Sequence, residues 1–185
     1  MVTRADEKGK DTKQKKENPM RKIRIEKVTL NIGVKQPQDA EKAYKLLEKI
    51  TNRKPIYTIA TRRARTFKVR RGLPIGAKIT LRKEYAEEIL KKLFEAKDNK
   101  IKESNFDEYG NFGFGIEEYL EIPGIKYDPS IGVMGLDVFV NLERPGYRVK
   151  RRKYRKSKIG KNHLITKEEA IEFIKNKFNV QILRE

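Results

Sequence analysis

Carboxylates beside glycines are the first residues in this chain that could do chemistry. Glu117 and Glu118 follow the run "GNFGFG", and Asp137 comes twenty residues later. The reaction they would support is phosphodiester cleavage by a basic nuclease using a magnesium ion. Their spacing speaks against it, because neighbouring residues on a strand face opposite ways. "GNFGFG" lacks the Lys-Ser/Thr and following helix of a phosphate loop, so turn or strand glycines explain it better. His163 is the one histidine and lies in a basic run, where it reads as an incidental surface residue. With no cysteine at all, thiolate nucleophiles, disulfides and thiolate metal sites are excluded together. No catalytic residue, metal site or cofactor is expected.

The chemistry that the residues do favour is recognition of phosphate. The net charge of +19 is concentrated in two acid-free segments. The first contains Arg62, Arg63, Arg65, Lys68, Arg70 and Arg71. The second runs from Arg144 through Arg148, Lys150, Arg151, Arg152, Lys153, Arg155, Lys156 and Lys158 to Lys161. Together they hold 16 of the 19 excess charges. Clustered like charges repel and destabilise a compact state unless a polyanion neutralises them. Phe67, Tyr147 and Tyr154 are interleaved with the arginines, a pattern that suits phosphate forks and base stacking. Nucleic acid is the expected partner. A membrane surface is not, because neither run is an amphipathic helix with a wide apolar face.

These residues need a scaffold, and the chain is long enough for one. Its 185 residues suffice for one sizeable core, even at 37% hydrophobic and 38% charged residues. Residues 1–20 read as a flexible charged tail and 21–183 as a single RNA-binding domain, with basic loops at 61–74 and 144–162. No apolar run approaches the roughly 18 residues of a membrane span, so a cytoplasmic protein is expected.

Val28, Leu30, Ile32 and Val34 alternate with Thr29, Asn31 and Gly33, predicting a half-buried strand. Ile23 and Ile25 have the opposite parity, which predicts a bulge near Glu26. Ala40, Ala43, Tyr44, Leu47 and Ile50 predict a helix with Asp39 as its N-cap, and a short strand follows at 56–60. Ile75, Ala77, Ile79 and Leu81 share one strand face, leaving Lys78, Thr80 and Arg82 on the other. A helix over Ala86, Ile89, Leu90, Leu93 and Phe94 comes next, then strands around 112–116 and 136–142. Thr166 with Glu169 predicts a capping box opening the last helix. This order predicts an α+β fold, a mostly antiparallel sheet with helices packed on one face. The other face would stay open, displaying Thr29, Asn31, Lys78, Thr80 and Arg82 to the 2′-hydroxyls and phosphates of RNA. A free-standing RNA chaperone or DNA-compacting protein would share the same charge and tail.

The stretches "KVTLNIGV", "RRARTFKVRRGLPIGAKITLR", "FGI", "GIKYDPSIGVMGLDVFVNLERPGYRVKRR" and "KNHLITKEEAIEFIKNKFNVQI" occur in that order over residues 20–182. They resemble the large-subunit ribosomal protein L-five family in its archaeal and eukaryotic branch. The resemblance implies a structural protein of the large ribosomal subunit that binds 5S ribosomal RNA and anchors it in the central protuberance. It would lie there beside neighbouring ribosomal proteins. Carried over position by position, it assigns 5S RNA to Asn31 of "LNIGV", Arg53 of "TNRKP", and Thr80 and Arg82 of "ITLR", with Lys78 on the same face. It assigns the loop Arg62, Arg63, Arg65, Lys68, Arg70 and Arg71 to P-site transfer RNA and other ribosomal RNA. Arg148, Lys150, Arg151, Arg152, Lys153 and Arg155 would form an extension that clamps large-subunit ribosomal RNA.

Overall fold

The structure is a computed structural model that describes residues 18–34, 36–66 and 69–183. Most of the expected tail, together with Phe67 and Lys68, lies outside the described residues. Asn18 opens the described chain by capping a short 3-10 turn, Pro19–Arg21, through a 2.9 Å hydrogen bond that its side chain accepts from the Met20 amide.

The elements in chain order are β1 (Arg24–Gly33), α1 (Ala40–Thr51), β2 (Ile56–Ile59), β3 (Pro74–Leu81), α2 (Lys83–Glu95), β4 (Lys100–Lys102), β5 (Phe112–Ile116), β6 (Leu136–Glu143), α3 (Arg148–Arg151), α4 (Lys167–Phe178) and β7 (Gln181–Leu183). Five strands form one antiparallel sheet in the order β2-β3-β1-β6-β5. β4 and β7 form a separate parallel pair.

Alternation along the strands puts one side chain in two into the core. Val28, Leu30 and Ile32 of β1, Ala77, Ile79 and Leu81 of β3, and Leu136, Val138 and Val140 of β6 are buried together. α1 and α2 cover that face with Leu46, Leu47, Leu90 and Leu93, each fully buried. Burying a Leu, Ile or Phe side chain contributes about 1.5–3 kcal/mol, so this layer supplies most of the driving force. Phe94 of α2 links the helices to the sheet edge. Its ring lies 5.5 Å from Phe114 and 6.3 Å from Phe112 of β5, and 5.2 Å edge-on from Phe178 of α4. The α+β architecture with helices on one face is therefore present, and so is the bulge, as a register shift between Ile25 and Lys27 against β6.

Local signals are obeyed at some helix ends and overridden at others. Thr166 and Glu169 form both bonds of the capping box at the start of α4. α1 and α4 end on Asn52 and Asn179 in the left-handed region at φ 48° and 54°, a conformation asparagine tolerates. Asp39 occupies the N-cap position of α1 without making the capping hydrogen bond. It is the last residue of the 3-10 turn Pro37–Asp39, in helical conformation, and its carboxylate pairs with Lys42 Nζ at 2.9 Å.

Candidate nucleic-acid interface

The sheet face turned away from the helices carries side chains in register. One row across the strands reads Ile56, Lys78, Asn31, Asp137 and Gly115. The next reads Thr80, Thr29, Phe139 and Gly113. Lys27 and Asn141 form a third. Asn31 and Lys78 are therefore direct cross-strand neighbours, as are Thr29 and Thr80, at the roughly 5 Å Cβ separation of antiparallel pairs. The expected Asn31, Lys78 and Thr80 come together on this face, and none of them makes an ion pair with a described residue.

Arg82 and Arg53 are placed differently. Arg82 follows β3 and lies 3.7 Å from Glu26 in the bulge of β1, at one corner of a cluster of charges. Glu26 and the buried Glu143 also receive Arg151, the latter at 2.5 Å, and Arg24 holds Glu143 at 2.6 Å. Three guanidinium groups thus surround two carboxylates, so Arg82 and Arg151 bring a partly neutralised charge to the surface. Arg53 sits in the turn between α1 and β2, its guanidinium 4.2 Å above the Tyr85 ring of α2. Tyr85 in turn donates a hydrogen bond to the Thr51 carbonyl, which ties that turn to the corner where β3 runs into α2.

The first basic segment continues the β2–β3 hairpin. The Ala60 amide donates to the Leu73 carbonyl at 2.9 Å, and Ala64 and Val69 exchange two bonds of 3.0 and 3.1 Å. Ala60 and Val69 are buried, whereas Arg62, Arg63, Arg65, Arg70 and Arg71 are exposed and form no ion pair among the described residues. An apolar root thus supports a set of exposed guanidinium groups.

The second segment has a built base. Arg144 is only 3% exposed and donates to the carbonyls of His163 at 3.3 Å and Leu164 at 3.1 Å, and to Glu169 Oε2 at 2.7 Å. His163 Nε2 is 2.9 Å from the Pro145 carbonyl, and the Tyr147 hydroxyl donates to the His163 carbonyl at 3.2 Å. Burial raises the Tyr147 pKa. Arg144 is therefore a buried staple rather than a surface cation. His163, expected to be incidental, closes the same loop. Beyond this base, Arg148, Lys150, Arg152, Lys153 and Arg155 are exposed. Arg152 donates to the Arg155 carbonyl at 2.8 Å, and the Arg155 guanidinium lies 5.4 Å from the Tyr154 ring centre.

No group of three or more His, Cys, Asp or Glu among the described residues could hold a metal ion. None of the described helices is long and apolar enough to cross a membrane.

Comparison with known proteins covers most of the chain. Residues 18–70 match the family described as ribosomal protein L5, and residues 74–182 match the C-terminus of that ribosomal family. The two regions meet in the β2–β3 hairpin, and β1 of the first lies between β3 and β6 of the second in one sheet. Proteins named large ribosomal subunit protein uL5 are similar over most of their length. That of Sulfurisphaera tokodaii is 55% identical over 90% of this chain and 95% of its own. That of Nanoarchaeum equitans is 54% identical over 90% of this chain and 99% of its own, and that of Sulfolobus acidocaldarius 51% over 91% and 96%. With nine-tenths of its residues aligned to such relatives, the chain belongs to the ribosomal protein L5 family.

Proposed function

We propose that the protein is a structural component of the large ribosomal subunit whose open sheet face holds 5S ribosomal RNA. The observation that carries this reading is the pairing of Asn31 with Lys78 and of Thr29 with Thr80 on a face that no described helix covers. Short hydrogen bonders flanked by cations suit the 2′-hydroxyls and phosphates of folded RNA. The hairpin bearing Arg62, Arg63, Arg65, Arg70 and Arg71 is an arm for P-site transfer RNA and adjoining ribosomal RNA. The extension beyond Arg144 clamps large-subunit ribosomal RNA with Arg148, Lys150, Arg152, Lys153 and Arg155. Neighbouring proteins of the central protuberance complete the surroundings, in the cytoplasmic ribosome.

Its test is a separation of functions. Reversing charge at Arg62, Arg63 and Arg65 should leave 5S RNA affinity within about threefold and impair translation by reconstituted ribosomes. Loss of 5S binding in that variant alone would overturn the division of labour between arm and sheet.

A further inference from the structure

The two halves of the open face differ in charge. Lys27, Lys78 and Arg82 lie on and beside β1 and β3, the half suited to phosphates. On β5 and β6 a groove of about 540 Å³ is lined instead by Asp107, Asn111, Gly113, Asp137, Phe139 and Asn141. Among the described residues two carboxylates and no cation line it, so a phosphate would be repelled there, whereas a neutral ring would not.

Phe139 is the apolar floor of that groove, 50% exposed in the middle of a sheet face. Gly113 on β5 leaves the space that it occupies. Gly113 is paired with Phe139, and a Cβ there would stand 2.9 Å from Phe139 Cδ1. Gly115 is paired with Asp137, and its Cβ would be 3.7 Å from Asp137 Oδ1. The ring thus leans over bare backbone, with the carboxylate two residues along the same strand face. Asn141 Nδ2 donates to Asn111 Oδ1 at 3.1 Å, which fixes both amides on the other side of the ring.

We infer that this groove takes one unstacked guanine, its ring on Phe139 and its Watson–Crick edge toward Asp137. Stacking on an aromatic ring is open to any base, so the carboxylate supplies the choice. Guanine alone presents two adjacent donors at that edge, N1–H and N2–H, matching the two acceptor oxygens of a carboxylate. Adenine and cytosine place an acceptor beside their donor, and uracil flanks its donor with two acceptors. The subsite rests on the proposal that this face holds RNA.

Kethoxal, which modifies the N1 and N2 of unpaired guanines, tests it on 5S ribosomal RNA bound to the full chain. We expect at least one guanine to be protected by the wild type and by Phe139→Trp. The same guanine should be reactive with Phe139→Ala, Phe139→Leu and Asp137→Asn. Phe139→Ala should weaken binding roughly tenfold, within the range of one base–aromatic stack. Unchanged guanine protection in these variants would overturn the inference, as would Phe139-dependent protection confined to adenines and cytosines probed with dimethyl sulfate. Asn31→Ala/Thr80→Ala, measured in parallel, separates the two claims. If it loses binding while Phe139→Ala binds and protects as the wild type does, the guanine subsite falls and the RNA face stands. If neither variant alters binding, the RNA face itself falls, and the subsite with it.

Discussion

Arg144 offers a sharp test of which cations hold the protein together and which face outward. Replacing it with methionine keeps the aliphatic stem but removes three donated bonds, to the carbonyls of His163 and Leu164 and to Glu169 Oε2. Breaking a buried charged pair costs about 3–5 kcal/mol. Glu169 keeps partial solvent access, the Thr166 amide and a distant Arg21, which places the expected loss at the lower end, about 3 kcal/mol. At roughly 2–4 °C per kcal/mol for a chain of this size, the melting temperature should fall by about 6–12 °C. Scanning calorimetry measures that fall directly. RNA titrations over a range of salt supply the second half of the test. A buried guanidinium displaces no counterions from RNA, so the slope of log affinity against log salt should be unchanged below the transition. Truncating Arg148 or Lys150, both exposed, should instead leave the melting temperature within about 1 °C and reduce that slope by nearly one for each phosphate no longer neutralised. A variant at Arg144 with normal stability and a reduced slope would refute the placement of this residue inside the fold.

Two further outcomes test the scaffold. A Cβ at Gly76 would stand 2.2 Å from the Ile32 carbonyl oxygen across the β1–β3 ladder, where backbone cannot give way. Gly76→Ala should therefore cost at least about 2 kcal/mol, while Gly33→Ala on the paired strand, with no atom of the described residues within 4 Å of the new Cβ, should cost under about 1, by urea denaturation. The Asp128 carboxylate accepts hydrogen bonds from the side chain and backbone of Ser130 and pairs with Lys49 at 3.3 Å, which holds its pKa below 3.8. A depressed pKa means that the folded state binds the proton less readily than the unfolded one. The contribution is thus complete above 3.8 and disappears as pH falls through the lower folded value. The difference in melting temperature between wild type and Asp128→Asn should hold from neutral pH down to that region and close only below it.

What is legible in the sequence is what local periodicity determines. Strict alternation in "VTLNIGV" and "IGAKITL" sets two strands and their faces, and the parity change at Ile25 marks the bulge, because a one-residue shift swaps every side chain across the sheet. The capping box is readable because both of its bonds lie within four residues. The pairing of β4 with β7 is not, since it joins two three-residue strands about eighty positions apart, with Ile101 beside Ile182. The roles of Arg144 and His163 are hidden for a related reason. In the sequence they sit at the two ends of a cationic run. Only the return of the chain brings Glu169 and the Pro145 carbonyl to them. Arg82 and Arg151 likewise look like free cations in the sequence, because Glu26 and Glu143 are far from them or on another strand. Phe139 looks there like a simple alternating partner in its strand. Its facing glycine, Gly113, the first of "GFG", becomes a signal once β5 is known to lie beside β6.

The central claim is that a specific ribosomal RNA is read by the open sheet face, and competition binding at physiological salt tests it most directly. Labelled 5S RNA would be challenged with unlabelled 5S RNA, excess transfer RNA or an unrelated duplex, for the wild type beside Asn31→Ala/Thr80→Ala. Specific readout predicts that only 5S RNA competes well against the wild type and that the double variant loses this preference. Equal competition by every RNA, unchanged in the variant, would contradict it and leave the charge acting without readout, as in a sequence-tolerant RNA chaperone.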